Sequence, residues 1–118
     1  MKAAVFEAYR GPLEIRQVPD PDCPADGVIL KVEACGVCHS DLSATNGTIS
    51  FALPLVLGHE GAGTVVQVGD GVTEFAVGDA AISSFVSMCG KCRYCVTGRP
   101  QLCDQAANAL TTLPDGSL

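Results

Sequence analysis

Residues 58–69 have the sequence GHEGAGTVVQVG, and this stretch decides the fold that we predict for the chain. Its valines favour a strand, whereas a glycine inside a strand marks a bulge or a place where another backbone comes close. We therefore predict one bent strand over residues 58–69, in which Gly61 and Gly63 permit the bulge or the close approach.

Further short strands are predicted on both sides of this stretch. The clearest lies at residues 28–35, where the apolar side chains recur with a period of two. Two more, at residues 1–9 and 13–19, surround a turn at residues 10–12, and another lies at residues 79–85. Many short strands with little helix predict a mostly β protein, an antiparallel barrel or sandwich.

The segments between these strands carry turn and helix signals. Residues 19–27 contain three prolines and end in a glycine, which predicts a loop. Residues 40–46 predict one or two helical turns that end at Gly47. Residues 111–118 are turn-like.

The composition indicates one folded domain, which we place at residues 1–118. Hydrophobic residues make up 47% of the chain and charged residues 17%, so an intrinsically disordered protein is excluded. Lys and Arg number 7 against 13 Asp and Glu, a formal net charge of −6. This balance disfavours nucleic acid or an anionic membrane as a partner, because both require a basic surface.

The cysteines and the absence of targeting signals predict a cytoplasmic protein. No apolar run approaches the roughly 20 residues that span a bilayer, and the first residues do not form a signal peptide. The chain has seven cysteines, and in a reducing compartment these are metal ligands or free thiols before they are disulfides. For two of them we expect no role. Cys35 could join Cys38 in a Cys-x-x-Cys pair, but its position on a strand favours a buried thiol, and Cys23 is predicted to be a bystander in the loop.

Four cysteines form a compact lobe at residues 89–103. Cys89, Cys92 and Cys95 are each three residues apart, and Cys103 follows. Zn²⁺ prefers four tetrahedral ligands, and a site closed by four thiolates supports folding rather than chemistry. We therefore predict a structural zinc site, the alternatives being two disulfides, a redox pair or an iron–sulfur cluster.

A second set of possible ligands lies earlier in the chain. Cys38 follows the strand at residues 28–35, and His59 begins the bent strand beside Glu60. A thiolate, an imidazole and nearby carboxylates are the components of a catalytic zinc site, which uses three protein ligands and leaves one position open.

These motifs together resemble those of the zinc-containing medium-chain alcohol dehydrogenases. The segments Gly36-Val37-Cys38-His39-Ser40-Asp41 and Gly58-His59-Glu60-Gly61-Ala62-Gly63 and the four-cysteine lobe occur in that family's order and spacing. The resemblance implies a GroES-like β-barrel catalytic domain. It also implies oxidation of alcohols, or reduction of aldehydes and ketones, by hydride transfer with NAD or NADP.

The resemblance also implies roles around the catalytic zinc. Cys38 and His59 correspond to two of its ligands, and Glu60 to a neighbouring or transient ligand. Asp41 corresponds to the carboxylate that hydrogen-bonds His59 and sets its tautomer.

Other positions correspond to the substrate and cofactor contacts of the family. Ser40 corresponds to the acceptor of the alcohol proton, His39 to a contact of the cofactor pyrophosphate, and Phe85 to part of the substrate pocket wall. Ser43 stands where some members have a histidine that ends the proton relay, so water or another group is expected to take the last proton step.

Two elements of the family do not occur in this sequence. The third catalytic ligand lies further along than this chain extends, and no Gly-x-Gly-x-x-Gly opens a helix for a dinucleotide. We therefore expect an N-terminal fragment of such an enzyme, without a nucleotide-binding domain and inactive alone. The complete enzyme is expected to form a homo-oligomer and to act on a small alcohol or aldehyde.

Two other hypotheses remain. One is a non-catalytic zinc-binding module of GroES-like fold. The other is a GroES-like chaperonin subunit or a zinc-free quinone reductase, which explains neither the cysteine lobe nor Cys38 with His59.

Overall fold

The computed structural model describes residues 1–106, which form short strands joined by loops and three short helices. The strands are β1 (Lys2–Phe6), β2 (Leu13–Gln17), β3 (Val28–Gly36), β4 (Leu55–Val56), β5 (Glu60–Val68) and β6 (Ala80–Ile82). The helices are α1 (His39–Thr45), α2 (Arg93–Val96) and a 3₁₀ helix (Pro100–Leu102). The mostly β prediction is confirmed.

The first sheet has the strand order β2-β1-β4, and its strands are antiparallel. The turn between β1 and β2 places Arg10 in the left-handed region at φ 62°, and Gly11 N–H closes it by donating to the Ala8 carbonyl at 2.8 Å. The inner strand β1 carries buried Val5 and Phe6, which form part of the core.

The second sheet has the order β3-β5-β6, also antiparallel, and it carries the long central pairing of the chain. Its register shifts twice between β3 and β5, so that Val66 and Glu33 are the unpaired residues of two bulges. A Cβ on Gly63 would lie 2.1 Å from the Lys31 carbonyl oxygen, whereas a Cβ on Gly61 meets nothing nearer than Ser83 Oγ at 3.6 Å. The predicted bend therefore requires glycine at position 63 and not at position 61.

The structure extends and corrects the sequence-based elements. The helix predicted at residues 40–46 is α1, and Gly47 follows it at φ 84°. The strand predicted at residues 79–85 is shorter, since only Ala80–Ile82 pairs with β5. The pattern did not predict β4 or the two helices of the cysteine lobe, which are all four residues or shorter. The turn predicted at residues 111–118 lies outside the described residues.

The prediction that Cys35 is buried is wrong. Cys35 is exposed near the end of β3, because nothing in residues 1–106 covers the second half of that strand. Cys23 is half-buried in the 19–27 loop, with its Sγ 3.6 Å from the Gly27 carbonyl oxygen. Among the described residues, no helix has the length and apolar character needed to cross a membrane.

Candidate metal centres and active-site cleft

Four cysteine sulfurs converge in the lobe at residues 89–103. Cys92 precedes α2, Cys95 lies within it, and Cys103 follows the 3₁₀ helix, while Gly90 and Gly98 take positive φ values of 71° and 76° at the turns. The four Sγ atoms lie within 4.8 Å of one another.

The donors of this lobe fit a tetrahedral ion and not a pair of disulfides. All four cysteines are free thiols, and Cys92 Sγ lies 4.0 Å from Cys103 Sγ, about twice the length of a disulfide bond. A zinc ion about 2.3 Å from each sulfur places the sulfurs roughly 3.8 Å apart. Backbone N–H groups already point at the sulfurs: Cys92 N–H donates to Cys89 Sγ at 3.3 Å, and Cys89 N–H donates to Cys103 Sγ at 3.4 Å.

Hydrogen bonds from the backbone stabilise the thiolate form of two of the four cysteines, Cys92 and Cys89. The N–H groups of Cys95 and Asp104 lower the pKa of the Cys92 thiol to about 6, and those of Lys91 and Cys92 lower the pKa of Cys89. Partial burial, with the hydrogen bond to Cys92, raises the pKa of Cys95 to about 11. In this geometry, negative charge therefore forms on Cys92 before it forms on Cys95.

The second group of ligands is assembled by the register of the second sheet. Gly36, the last residue of β3, pairs with Glu60, the first residue of β5. Cys38 and His59 therefore meet at one end of the sheet, where the donor atoms of Cys38, His59 and Glu60 lie within 4.8 Å of one another. Thiolate, imidazole and carboxylate are all ligands that zinc accepts.

The Asp41 carboxylate contacts both the backbone at the start of α1 and the imidazole of His59. Its Oδ2 accepts the Cys38 backbone N–H at 2.9 Å, and its Oδ1 lies 3.4 Å from His59 Nδ1. This arrangement leaves His59 Nε2 facing the other ligands, with Ser40 Oγ 3.5 Å away. Hydrogen bonds from the Ser40 hydroxyl and backbone N–H, followed by the hydrogen bond and charge of His59, lower the pKa of the Cys38 thiol.

A cleft of about 590 Å³ opens beside this group. Its lining combines the possible ligands with Ser40 and with three residues at or just after the end of β6, which are Ile82, Ser83 and Phe85. The Phe85 ring contacts the His59 ring edge to face, with centroids 4.8 Å apart. The cleft therefore places an apolar wall next to a hydroxyl and a set of metal-binding atoms.

Three residues considered with the sequence resemblance, His39, Asp41 and Ser43, lie outside the cleft lining. His39 is exposed at the start of α1, and its Nδ1 lies 3.4 Å from the hydroxyl of buried Ser43. Ser83, in contrast, lines the cleft and was not predicted from the sequence. A serine at a strand end has no sequence signal of its own, and only the pairing of β6 with β5 brings it to His59.

The fold and the two cysteine-containing centres define the class of this protein. The family model of the alcohol dehydrogenase GroES-like domain matches residues 24–118, and the chain belongs to this family.

Individual relatives agree over almost the whole chain. The chain is 47% identical to a putative alcohol dehydrogenase D of Mycobacterium tuberculosis over 98% of its own length and 31% of the relative. A solved benzyl alcohol dehydrogenase of Acinetobacter calcoaceticus is 35% identical with a TM-score of 0.83, covering 98% of this chain and 32% of that one. A solved NAD-dependent alcohol dehydrogenase is 36% identical with a TM-score of 0.79, and the match covers 89% of this chain and 32% of that one. The chain thus spans about a third of the length of the curated relatives that it matches.

Proposed function

We propose that this chain is the catalytic-domain part of a zinc-dependent alcohol dehydrogenase that oxidises alcohols, or reduces aldehydes and ketones, by hydride transfer with NAD or NADP. The convergence of Cys38, His59 and Glu60 at a cleft that also presents Ser40 and Phe85 carries this proposal. The relatives named above support the reaction class, and one of them is named NAD-dependent.

In this proposal, Cys38 and His59 bind a catalytic zinc ion, and Glu60 is a neighbouring or transient ligand. Zinc bound at such a site supplies Lewis acidity, which lowers the pKa of an alcohol hydroxyl. Asp41 keeps the His59 proton on Nδ1, so that Nε2 offers its lone pair to the site.

The remaining cleft residues act on substrate and cofactor. Ser40 accepts the proton of the substrate hydroxyl, since its Oγ lies beside both His59 and Cys38. Phe85 forms an apolar wall that excludes water and positions the carbon from which hydride leaves. His39, exposed at the start of α1, contacts the cofactor pyrophosphate.

The four-cysteine lobe at residues 89–103 has a separate role in the proposal. Cys89, Cys92, Cys95 and Cys103 bind a structural zinc ion, since four protein ligands leave no position for a substrate. This ion stabilises a lobe of the catalytic domain at residues 1–118 and takes no part in hydride transfer.

A chimera tests the proposed reaction. The 118 residues replace the matching segment of the Mycobacterium tuberculosis relative, and alcohol-dependent reduction of NAD and NADP is measured together with zinc content. We expect activity in the chimera and none above background in its Cys38→Ser and His59→Ala variants, which lose the metal of the cleft. Ser40→Ala is expected to keep its zinc and to lower the rate about 100-fold or more, since it removes the first proton acceptor.

The unmodified relative and the parent chimera are the controls for folding and assembly. Near-normal activity in the Cys38→Ser and His59→Ala variants after loss of zinc from the cleft would contradict the proposed function. A folded, zinc-loaded but inactive parent chimera would favour the alternative of a non-catalytic zinc-binding module.

A further inference from the structure

The side chain of Ser83 bridges two backbone groups next to the cleft. Its hydroxyl donates to the His59 carbonyl oxygen at 2.9 Å, and the Gly61 N–H donates to the same hydroxyl at 2.8 Å. The Ser83 backbone N–H also donates to the Gly61 carbonyl oxygen at 2.8 Å. Three hydrogen bonds therefore connect Ser83 to the two residues that flank Glu60.

This bridge lies where the regular pairing of the sheet has ended. The last pair between β3 and β5 is Gly36 with Glu60, and the last pair between β5 and β6 is Ile82 with Ala62. His59 lies beyond both ends and follows Gly58, whose φ is +123°. The serine hydroxyl thus supplies the hydrogen bond that a longer β6 would have provided to the backbone at His59.

The imidazole of His59 depends on this backbone for its direction. The ring itself has weaker contacts. Asp41 Oδ1 lies 3.4 Å from His59 Nδ1, which is longer than a typical hydrogen bond, and the Phe85 ring makes an edge contact with the imidazole. Ser83 and Phe85 belong to the same segment after β6, so one segment contacts both the backbone and the ring of His59.

We propose that Ser83 is a positioning residue of the Cys38–His59 centre, whose hydroxyl fixes the His59 backbone so that Nε2 faces the cleft. This inference rests on the proposed function, since it assigns the fixed imidazole to metal binding. Ser83 is exposed, so water can replace its hydrogen bonds, and its loss changes the geometry of His59 more than the stability of the fold.

The first test needs no metal and uses the whole chain. The sequence contains two histidines, so imidazole nitrogen spectra from a ¹⁵N-histidine-labelled sample contain only His39 and His59. We expect Ser83→Ala to shift or broaden the His59 ring signals and to leave those of His39 in place. Ser83→Thr keeps the hydroxyl and should restore the wild-type His59 signals.

The matched control is Ser84→Ala. Its hydroxyl donates to the Val86 carbonyl oxygen at 3.0 Å, so the same deletion one residue later leaves His59 untouched. Unchanged His59 signals in Ser83→Ala, or equal changes in Ser83→Ala and Ser84→Ala, would overturn the proposal.

The second test measures metal affinity and separates this inference from the proposed function. The chain is first loaded with one equivalent of Zn²⁺ and is then titrated with Co²⁺, whose thiolate charge-transfer absorption reports the Cys38 centre. We expect Ser83→Ala to weaken Co²⁺ binding about tenfold, the lower end of the range for residues that orient metal ligands. Ser83→Thr and Ser84→Ala should bind Co²⁺ like the wild type.

The outcomes distinguish the two proposals. If His59→Ala leaves Co²⁺ binding unchanged, the proposed metal centre is wrong, and the imidazole spectra alone decide whether Ser83 positions His59. If His59→Ala abolishes binding while Ser83→Ala binds like the wild type, the centre stands and the role of Ser83 is refuted.

Discussion

At the scale of single residues, the thiols of the cysteine lobe differ in pKa because their burial and their hydrogen bonds differ. Two N–H groups converge on Cys92 and lower its pKa to about 6, whereas the half-buried Cys95 hydrogen-bonds to Cys92 and has a pKa raised to about 11. In the geometry that the structure shows, the cluster therefore carries its negative charge on Cys92 rather than on Cys95.

The difference between Cys92 and Cys95 should therefore last only while the lobe is folded. After removal of zinc, which is expected to unfold residues 89–103, we expect iodoacetamide to modify the two cysteines at equal rates. The thiolate is the reactive form, and both thiols return to their ordinary pKa of 9.0 on unfolding. Peptide mass mapping over time measures the two rates.

The control for this prediction is the metal-free chain unfolded in guanidinium, where the two modification rates should also be equal. Modification of Cys92 well before Cys95 in the metal-free chain without guanidinium would contradict it.

At the scale of structural elements, β5 shows that two glycines of one motif have different physical roles. Gly63 sits where the bulge of β3 brings the Lys31 carbonyl and the Val32 Cα within 3.0 Å of a hypothetical Cβ. A Cβ on Gly61 would make only ordinary van der Waals contacts, with Ser83 Oγ at 3.6 Å and Val32 Cγ2 at 3.9 Å. Only the first of these positions excludes a side chain.

Substitution of the two glycines by alanine should therefore give unequal results. Gly63→Ala must displace backbone and is expected to lower the free energy of unfolding by about 2 kcal/mol or more. Gly61→Ala, its matched control, should change it by less than about 1 kcal/mol. Urea denaturation of both variants provides the measurement, and equal midpoints would show that the bulge adapts to a methyl group.

The cysteine lobe illustrates an element whose secondary structure is too short to be stable alone. The helix α2 has four residues and the 3₁₀ helix three, far below the length at which isolated helices persist. Their geometry is therefore expected to depend on the bound ion.

Removal of zinc should unfold at least residues 89–103. We expect about one tightly bound zinc ion per chain after dialysis, and a loss of amide protection across the lobe after chelation, because structural zinc binding contributes folding free energy. Cys95→Ser should lower yield or thermal stability in the same way. Bound iron, or disulfides in place of the metal, would contradict this assignment.

At the scale of the whole molecule, the described residues form two open sheets with a small core. Phe6 and Val65 are the largest fully buried side chains of residues 1–106, while Ile15 on β2 and Ile82 on β6 remain 72% and 81% exposed. All of the strand pairs in this part of the chain are antiparallel. The chain, about a third as long as its curated relatives, thus presents a cleft but no parallel βαβ unit among its described residues.

The chain by itself is expected to show no alcohol-dependent reduction of NAD or NADP. Dinucleotides bind at the glycine-rich start of a helix in a parallel βαβ unit, and residues 1–106 do not contain one. After dialysis its Cys38–His59 centre should be empty or only weakly occupied by zinc, since Cys38 and His59 are two ligands and Glu60 at most a third.

Absorbance of the reduced nicotinamide, with the chimera as the positive control, tests this prediction. Measurable turnover by the isolated chain, or stoichiometric zinc in the cleft that resists mild chelation, would show that the ligand and cofactor sets are wrong.

Sequence alone determined the parts of this protein that depend on short spacings. The interval of three residues between Cys89, Cys92 and Cys95 already restricts three sulfurs to one neighbourhood, whatever the rest of the chain does. The period of two at residues 28–35 likewise predicted β3, because alternation is a local property of a strand. Elements of two to four residues, such as β4 and α2, have too few positions to show a period and were missed.

Tertiary structure decided what depends on register. Cys38 and His59 meet because Gly36 pairs with Glu60, and a slip of one residue would turn every side chain of β5 to the opposite face. Cys35, on the paired strand β3, is exposed, and the pairing of β5 with β6 brings Ser83 to the His59 backbone. No local pattern in the sequence indicates either of these. Register results from the summed pairing and packing of whole strands, so it becomes known only when the fold is known.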